Sequence, residues 1–225
     1  MYESLDKREV KEVEKSILDT WKKEDILNET IKNREGKKDF VFYDGPIYAN
    51  AKPGLHHVFA KTIKEVKRLN PGVTVEVLIP DLKGEDKNLD IIIEAKPDVI
   101  NHNMETIERL YEKVRPEAIY DRSLYVLKYV KEKAPEILTK TGIMVGLGET
   151  DEEVYKVMDD VLSVGCDIFT IGQYLQPSKK HVDVEEYISL EKFEEYRKAG
   201  IEKGFRFIAS SPLVRSSYKA ADALE

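Results

Sequence analysis

The sequence predicts an α/β fold: a partial (β/α) barrel of TIM type, with about five parallel strand–helix units. A helix and a short strand–loop–helix appendage precede it. Three observations predict this. From residue 73 onward, apolar strand-like runs alternate with amphipathic helical stretches, and strands that alternate with helices pair in parallel. The central run, Thr139–Glu149, passes from a buried strand into a glycine-rich turn. Polar residues recur at the C-terminal ends of successive strands, where such folds hold their ligands. Five units do not close an eight-stranded barrel, so an open doubly wound sheet is the structural alternative.

Taken in order, Asp6–Leu27 reads as a helix, because Val10, Val13, Ile17, Leu18 and Trp21 recur at steps of three and four. After a polar turn, Phe40–Tyr43 is aromatic and β-branched and reads as a strand, ended by Asp44-Gly45-Pro46. His56–Lys67 has helical spacing through Val58, Phe59, Ile63 and Val66. Its start at His56 and His57 suits an anion, since helix N-termini offer unpaired N–H groups; incidental histidines are the commoner case. Asn70-Pro71-Gly72 is a turn signal. Val73–Leu78 reads as a strand. Asn88–Ala95 reads as a helix, because it lies between two better strands. Val99–Asn103 is the next strand, and Glu105–Val114 a short helix with Ile107, Leu110 and Tyr111 inward. Asp121 is placed to cap a helix carrying Leu124, Leu127 and Val130. Thr141–Val145 is the central strand. Thr150 and Glu153 form a capping box for the helix of Val154, Val157, Met158, Val161 and Leu162, which Gly165 ends. Ile168–Ile171 is a strand, Ser189 caps a helix stopped by Gly204, and Phe205–Ala209 is the last strand.

Composition narrows the function. A chain of 225 residues buries about 70% of its unfolded surface. Net charge is −7, with 36 basic and 43 acidic residues, which disfavours a nucleic-acid partner, whose phosphates require clustered Lys and Arg. No run approaches the ~18 apolar residues of a membrane span, and MYESLDKREV lacks a signal-peptide core. The expectation is a cytoplasmic protein with no membrane partner. One cysteine, Cys166, cannot by itself make a disulfide, a thiolate zinc site or an iron–sulfur site.

The strand-end polar residues are Asp81, then Asn101, His102, Asn103 and Glu105, then Glu149, then Gln173 and Gln176. Any one alone is more often a cap or a solvated loop residue; their recurrence at one end favours a site. Gly142, Gly146 and Gly148 would let backbone approach a flat ligand. The four histidines form no convincing metal set, and Tyr111, Tyr120, Tyr125 and Tyr129 read as packing.

The segments PGVTVEVLIPD (71–81), DVINHNMET (98–106), GIMVGLGET (142–150), GQYLQPS (172–178) and SPLVRSSY (211–218) together resemble lipoyl synthase. They follow that family's order over residues 66–225. The resemblance implies a radical S-adenosylmethionine enzyme that inserts two sulfurs into an octanoyl chain on a lipoyl-carrier protein or H protein. It implies S-adenosylmethionine and two [4Fe–4S] clusters. It puts Gly142, Met144, Gly146, Gly148, Glu149, Asn101 and Asn103 at S-adenosylmethionine, and His102, Glu105, Gln173 and Arg215 in the substrate chamber. It makes one of Ser216 and Ser217 a ligand of the auxiliary cluster. The cysteines the family uses for both clusters are missing, so the resemblance implies no turnover by this chain alone.

FVFYDGPIYANAKPGLHHVFAKTIK (40–64) resembles the start of isoleucyl-tRNA synthetase. That likeness implies a division into residues 1–65 and 66–225, with His56 and His57 as an ATP-site remnant. Three functions follow: a lipoyl synthase-like fragment, a non-catalytic binder of S-adenosylmethionine or carrier protein, and an ATP-binding synthetase fragment. Open strand edges would invite oligomers or aggregates.

Overall fold

The structure is a computed structural model that describes residues 19–20, 23–25 and 55–216. The chain divides into two units, Met1–Phe40 and Val41–Glu225. In the first, Asp19, Thr20 and Lys23 are helical and exposed, and Glu24 and Asp25 turn. The predicted strand at Phe40–Tyr43 and the loop after it lie outside the described residues.

The second unit runs α1 (Leu55–Leu69), β1 (Glu76–Leu78), α2 (Asp86–Ile93), β2 (Val99–Asn101), α3 (Tyr111–Val114), α4 (Tyr120–Lys133), β3 (Leu138–Val145), α5 (Asp151–Ser163), β4 (Ile168–Gln173), α6 (Leu190–Lys203) and β5 (Phe207–Ser210). The five strands form one sheet in chain order, and every pairing is parallel. This is the partial (β/α) architecture that the alternation predicted.

Burial explains why the elements form. Alternate strand residues face the helices. Ile143, Val145, Phe169, Ile171 and Ile208 join Val154, Val157, Met158, Val161, Phe193 and Tyr196 in one buried cluster. A second cluster joins Val77 and Ile100 to Phe59, Ile63, Leu89, Ile92, Val126 and Val130. On the other face, Val99 and Ile168 pack with Leu138 and Phe207. The Phe169 and Phe205 rings stack at 5.2 Å.

The helix signals act much as expected. Thr150 and Glu153 make both halves of the capping box of α5. Ser189 accepts from Lys192 N to cap α6, and Gly204 ends that helix at φ 106°. Three expectations are corrected. Ile119, not Asp121, is the N-cap of α4, and no side chain bonds there; Asp121 sits in the first turn, where its charge still suits the helix dipole. Glu105 is not helical. It holds φ 65° and bridges to Ile143, so the helical segment begins only at the 3₁₀ turn Glu108–Leu110. β1 is three residues long, half the expected run.

Phe169 is fully buried and stacked on Phe205. Phe169→Ala should therefore lower unfolding free energy by about 3–5 kcal/mol. Urea denaturation followed by circular dichroism would show the midpoint falling with little change in slope.

Candidate functional site

The face of the sheet away from the helices carries a cluster of buried polar side chains. Strand alternation puts Glu76, Asn101, Lys140 and Thr170 on that face. Asn101 and Lys140 are register partners. Lys140 Nζ reaches Glu76 Oε1 at 3.0 Å and Oε2 at 2.9 Å. The Lys140 side chain is 1% exposed and that of Glu76 8%. Asn101 Nδ2 donates to the same Glu76 Oε1 at 3.2 Å. That leaves Asn101 Oδ1 buried and without a partner.

One inward position further along β2, Asn103 Nδ2 donates to Glu105 Oε1 at 3.1 Å and to Ser216 Oγ at 3.0 Å. Asn103 Oδ1 is also buried without a partner. Two residues along a strand span roughly 7 Å. Two orphan acceptors therefore stand about that far apart along one strand end. Arg115 Nη1 holds the backbone there, donating to the carbonyls of Asn103 and Met104. The Glu105 peptide is pinned to β3, its N–H donating to Gly142 O and its carbonyl accepting from Met144 N.

The glycine-rich turn after β3 is built mainly by its own residues. Gly146 and Gly148 have φ of 97° and 93°, which only glycine adopts without strain. Glu149 accepts from Gly146 N at 2.5 Å and Leu147 N at 2.9 Å, so both its oxygens serve the turn. Arg109 ties the turn to α5 through Gly148 O and Glu153. At Gly142 an added Cβ would lie 2.1 Å from Thr170 Oγ1, and at Gly146 2.3 Å from Gln173 Nε2. These two glycines make room for this chain's own side chains. Met144 is half-buried on β3.

Other expected site residues have different roles. His102 is directed to the helical side, the opposite of Asn101, because neighbours on a strand alternate. Its Nδ1 meets Ile79 O at 3.0 Å and its Nε2 meets Ser123 Oγ at 3.1 Å. The carbonyl requires Nδ1–H, so Nε2 accepts from the serine. Gln173 is 4% exposed and fully used: its Nε2 donates to Tyr174 O and Glu186 O, and its Oε1 accepts from Ile188 N. It fastens the loop between β4 and α6. Asp81 caps the turn at Leu82–Gly84 and pairs with Arg122. Gln176 bonds within its own loop, to His181 O and Asp183. Arg215 is exposed, and its Nη1 donates to Val214 O. His56 and His57 pack ring to ring at 4.3 Å at the head of α1. Burial first, then the His57 charge, lowers the His56 pKa. Ser217 lies outside the described residues.

Glu76, Lys140, Arg115 and Thr170 were not among the expected site residues. The signal was available for two of them: Glu76 and Lys140 are charges set inside β-branched runs at alternate positions.

The residues present do not fit a [4Fe–4S] cluster. Among the described residues no three His, Cys, Asp or Glu side chains converge as metal ligands. Cys166 is buried, and its thiol contacts Thr139 O and Ile168 O. Burial, ahead of other causes, pushes its pKa up to about 12, so the thiolate a cluster needs does not form near neutrality. The two orphan amide oxygens do fit a ligand that brings hydrogen-bond donors, such as the hydroxyls and amines of a nucleoside.

The model of the Radical SAM superfamily matches residues 18–161. The chain is 60% identical over 167 residues to a lipoyl synthase of Caldanaerobacter subterraneus subsp. tengcongensis, covering 74% of this chain and 58% of that one. It is 54% identical over 172 residues to a lipoyl synthase of Alkaliphilus metalliredigens, covering 76% and 59%. It thus spans a little under three fifths of these curated relatives. Among solved structures, methylornithine synthase superposes with a TM-score of 0.53 at 14% identity, over 72% of this chain and 56% of that one. A domain of pyruvate-formate lyase-activating enzyme from Bacteroides vulgatus also gives 0.53, at 12% identity, over 75% and 100%. At that identity the likeness concerns the fold. The superfamily match starts at residue 18 and so crosses residue 65, where the sequence suggested a join. The comparisons give the synthetase resemblance no support.

Burial is the main cause that lowers the His102 pKa from 6.5 to about 4. Between those values the unfolded chain binds a proton that the folded chain does not, so stability rises with pH. The contribution is full above pH 6.5 and is lost as pH falls toward 4; the gap is worth about 3 kcal/mol. Urea titrations at pH 4 to 7 should show His102→Gln losing less stability on acidification than the parent. Parallel curves would mean that His102 does not stay neutral in the fold.

Proposed function

The chain belongs to the radical SAM superfamily, and from that premise we propose that residues 66–225 are the C-terminal part of a lipoyl synthase-type barrel. In this reading the strand ends hold S-adenosylmethionine, and the chain assembles no [4Fe–4S] cluster from its own thiols. One observation carries the ligand half: Asn101 Oδ1 and Asn103 Oδ1, buried and unpartnered, the first at the last residue of β2 and the second two residues beyond it. An unsatisfied buried acceptor costs about 1–3 kcal/mol, which a donor on a bound ligand would recover.

S-adenosylmethionine, when bound beside a reduced cluster, supplies a 5′-deoxyadenosyl radical. What this chain's residues contribute is binding and orientation. Asn101 and Asn103 accept from the ligand. Gly142, Met144, Gly146 and Gly148 form the wall beside it, and Glu149 shapes that wall by fixing its turn. Glu105 and Arg215 stand nearest the chamber rim. Ser216 or Ser217 would serve an auxiliary cluster only where cysteines came from elsewhere. The substrate class is an octanoyl group on a lipoyl-carrier protein or H protein. Identity of 54–60% to lipoyl synthases supports that assignment. The division at residue 65, with an isoleucyl-tRNA synthetase-like segment before it, is the least supported part of the reading.

A non-catalytic binder of S-adenosylmethionine or carrier protein is the second reading, favoured by the single shielded thiol. The two readings share their ligand and part on turnover.

Calorimetry with S-adenosylhomocysteine should give binding, and Asn101→Leu should weaken it about tenfold, as expected for the loss of one or two hydrogen bonds. No heat at millimolar ligand would remove the S-adenosylmethionine assignment. Anaerobic reconstitution with iron and sulfide should leave the chain colourless and without 5′-deoxyadenosine formation. A brown product that cleaves S-adenosylmethionine unaided would overturn the claim about clusters.

A further inference from the structure

The segment after β5 does not leave the sheet directly. Ser211 N–H donates to Ile171 O at 3.1 Å, and Gln173 N–H to Pro212 O at 3.4 Å, so the segment first runs on beside β4 until a turn closed by Val214 N–H on Ser211 O at 3.0 Å. There it passes very close to the strand: a Cβ on Gly172 would lie 2.4 Å from Val214 O. Val214 is buried, 3% exposed, while Leu213 beside it is 76% exposed. Two residues on, Ser216 Oγ accepts from Asn103 Nδ2 at 3.0 Å, at the end of β2. The sheet order is β2-β3-β4. A segment that touches β4 at Gly172 and β2 at Asn103 must therefore cross the end of β3, over the strand that carries Gly142 and Met144.

Its attachment is uneven. The first half is held by backbone bonds to β4 and by the buried Val214. Beyond Val214, among the described residues, the segment's hydrogen bond to another element is the one between Asn103 and Ser216, two neutral groups. Beside that bond stands the orphan acceptor of Asn103, and two residues before it that of Asn101. Ser216 takes one amide proton of Asn103 and leaves Asn103 Oδ1 unserved. The segment thus bonds to Asn103 without satisfying its oxygen.

We propose that residues 211–216 are a lid over the S-adenosylmethionine recess, hinged on β4 at Ser211–Val214 and latched to β2 by the Asn103–Ser216 hydrogen bond. This rests on the S-adenosylmethionine reading above. Closed, the lid shields the amide oxygens of Asn101 and Asn103. Open, it exposes them to the ligand's donors. Ligand entry therefore competes with the latch, and weakening the latch favours entry. The close approach at Gly172 keeps the closed lid flat against the strand.

Two variants of the full chain test this with S-adenosylhomocysteine as probe. Ser216→Ala removes the latch and nothing buried. Gly172→Ala pushes the Val214 carbonyl off β4. Each should bind the probe about fivefold more tightly, the factor set by one neutral hydrogen bond. Ser216→Thr keeps the hydroxyl and should bind as the parent does. Without ligand, hydrogen–deuterium exchange at residues 213–216 should be faster in Ser216→Ala. Parent-like or weaker binding in both opened variants overturns the lid and leaves the S-adenosylmethionine reading standing. Absence of binding by the parent and every variant removes that reading, and the lid with it.

Discussion

Lys140 and Glu76 carry opposite charges where water does not reach them. Moving such charges out of water costs several kcal/mol each, and their attraction offsets that cost only when geometry and further hydrogen bonds are good. Here the partners lie on β1 and β3, with β2 between them. The pair can close only if three parallel strands keep their register, Glu76 with Val99 and Asn101 with Lys140. A slip of one residue would turn Lys140 into the apolar cluster under α5 and α6. The pair thus couples strand pairing to the identity of the inner face. It also fixes the amide of Asn101, because Glu76 accepts from Nδ2 and so points Oδ1 away. The polarity of the strand-end recess follows from an ion pair that touches no ligand.

The same coupling explains what could be read in the chain of letters. Features with a local cause were legible. Thr150 with Glu153, Ser189 before α6 and Gly204 after it are signals whose physics lies within a few residues. Asn88–Ala95 was assignable as a helix because its neighbours were better strands, and α2 lies there. Features with a distant cause were not. Nothing near Glu105 says that its peptide bonds to β3, so a helical stretch was expected where a bridge forms. Nothing near Asp121 says that the helix has already begun at Tyr120.

For the site, position was easier to read than orientation. The strand ends do carry the polar residues, but five of those eight bond within the protein itself. Glu149 closes its own turn, Gln173 fastens a loop, and His102 bonds behind the sheet. Strict alternation would have separated His102 from Asn101 and Asn103. At Gly142 and Gly146 an added side chain would meet Thr170 and Gln173. A small residue reports that something comes close, not what does. Among the described residues three buried side-chain oxygens lack a partner, those of Asn101, Asn103 and Thr106, and they stand out only once the other polar groups have been matched.

Cys166 lies at the foot of β4, facing backbone carbonyls, with its ionisation suppressed. A maleimide or iodoacetamide reagent needs both access to sulfur and its anionic form, and the native fold withholds both. Alkylation can then proceed only through molecules that have transiently come apart. The rate at which this one sulfur is labelled becomes a clock for whole-domain opening, free of any background from other thiols.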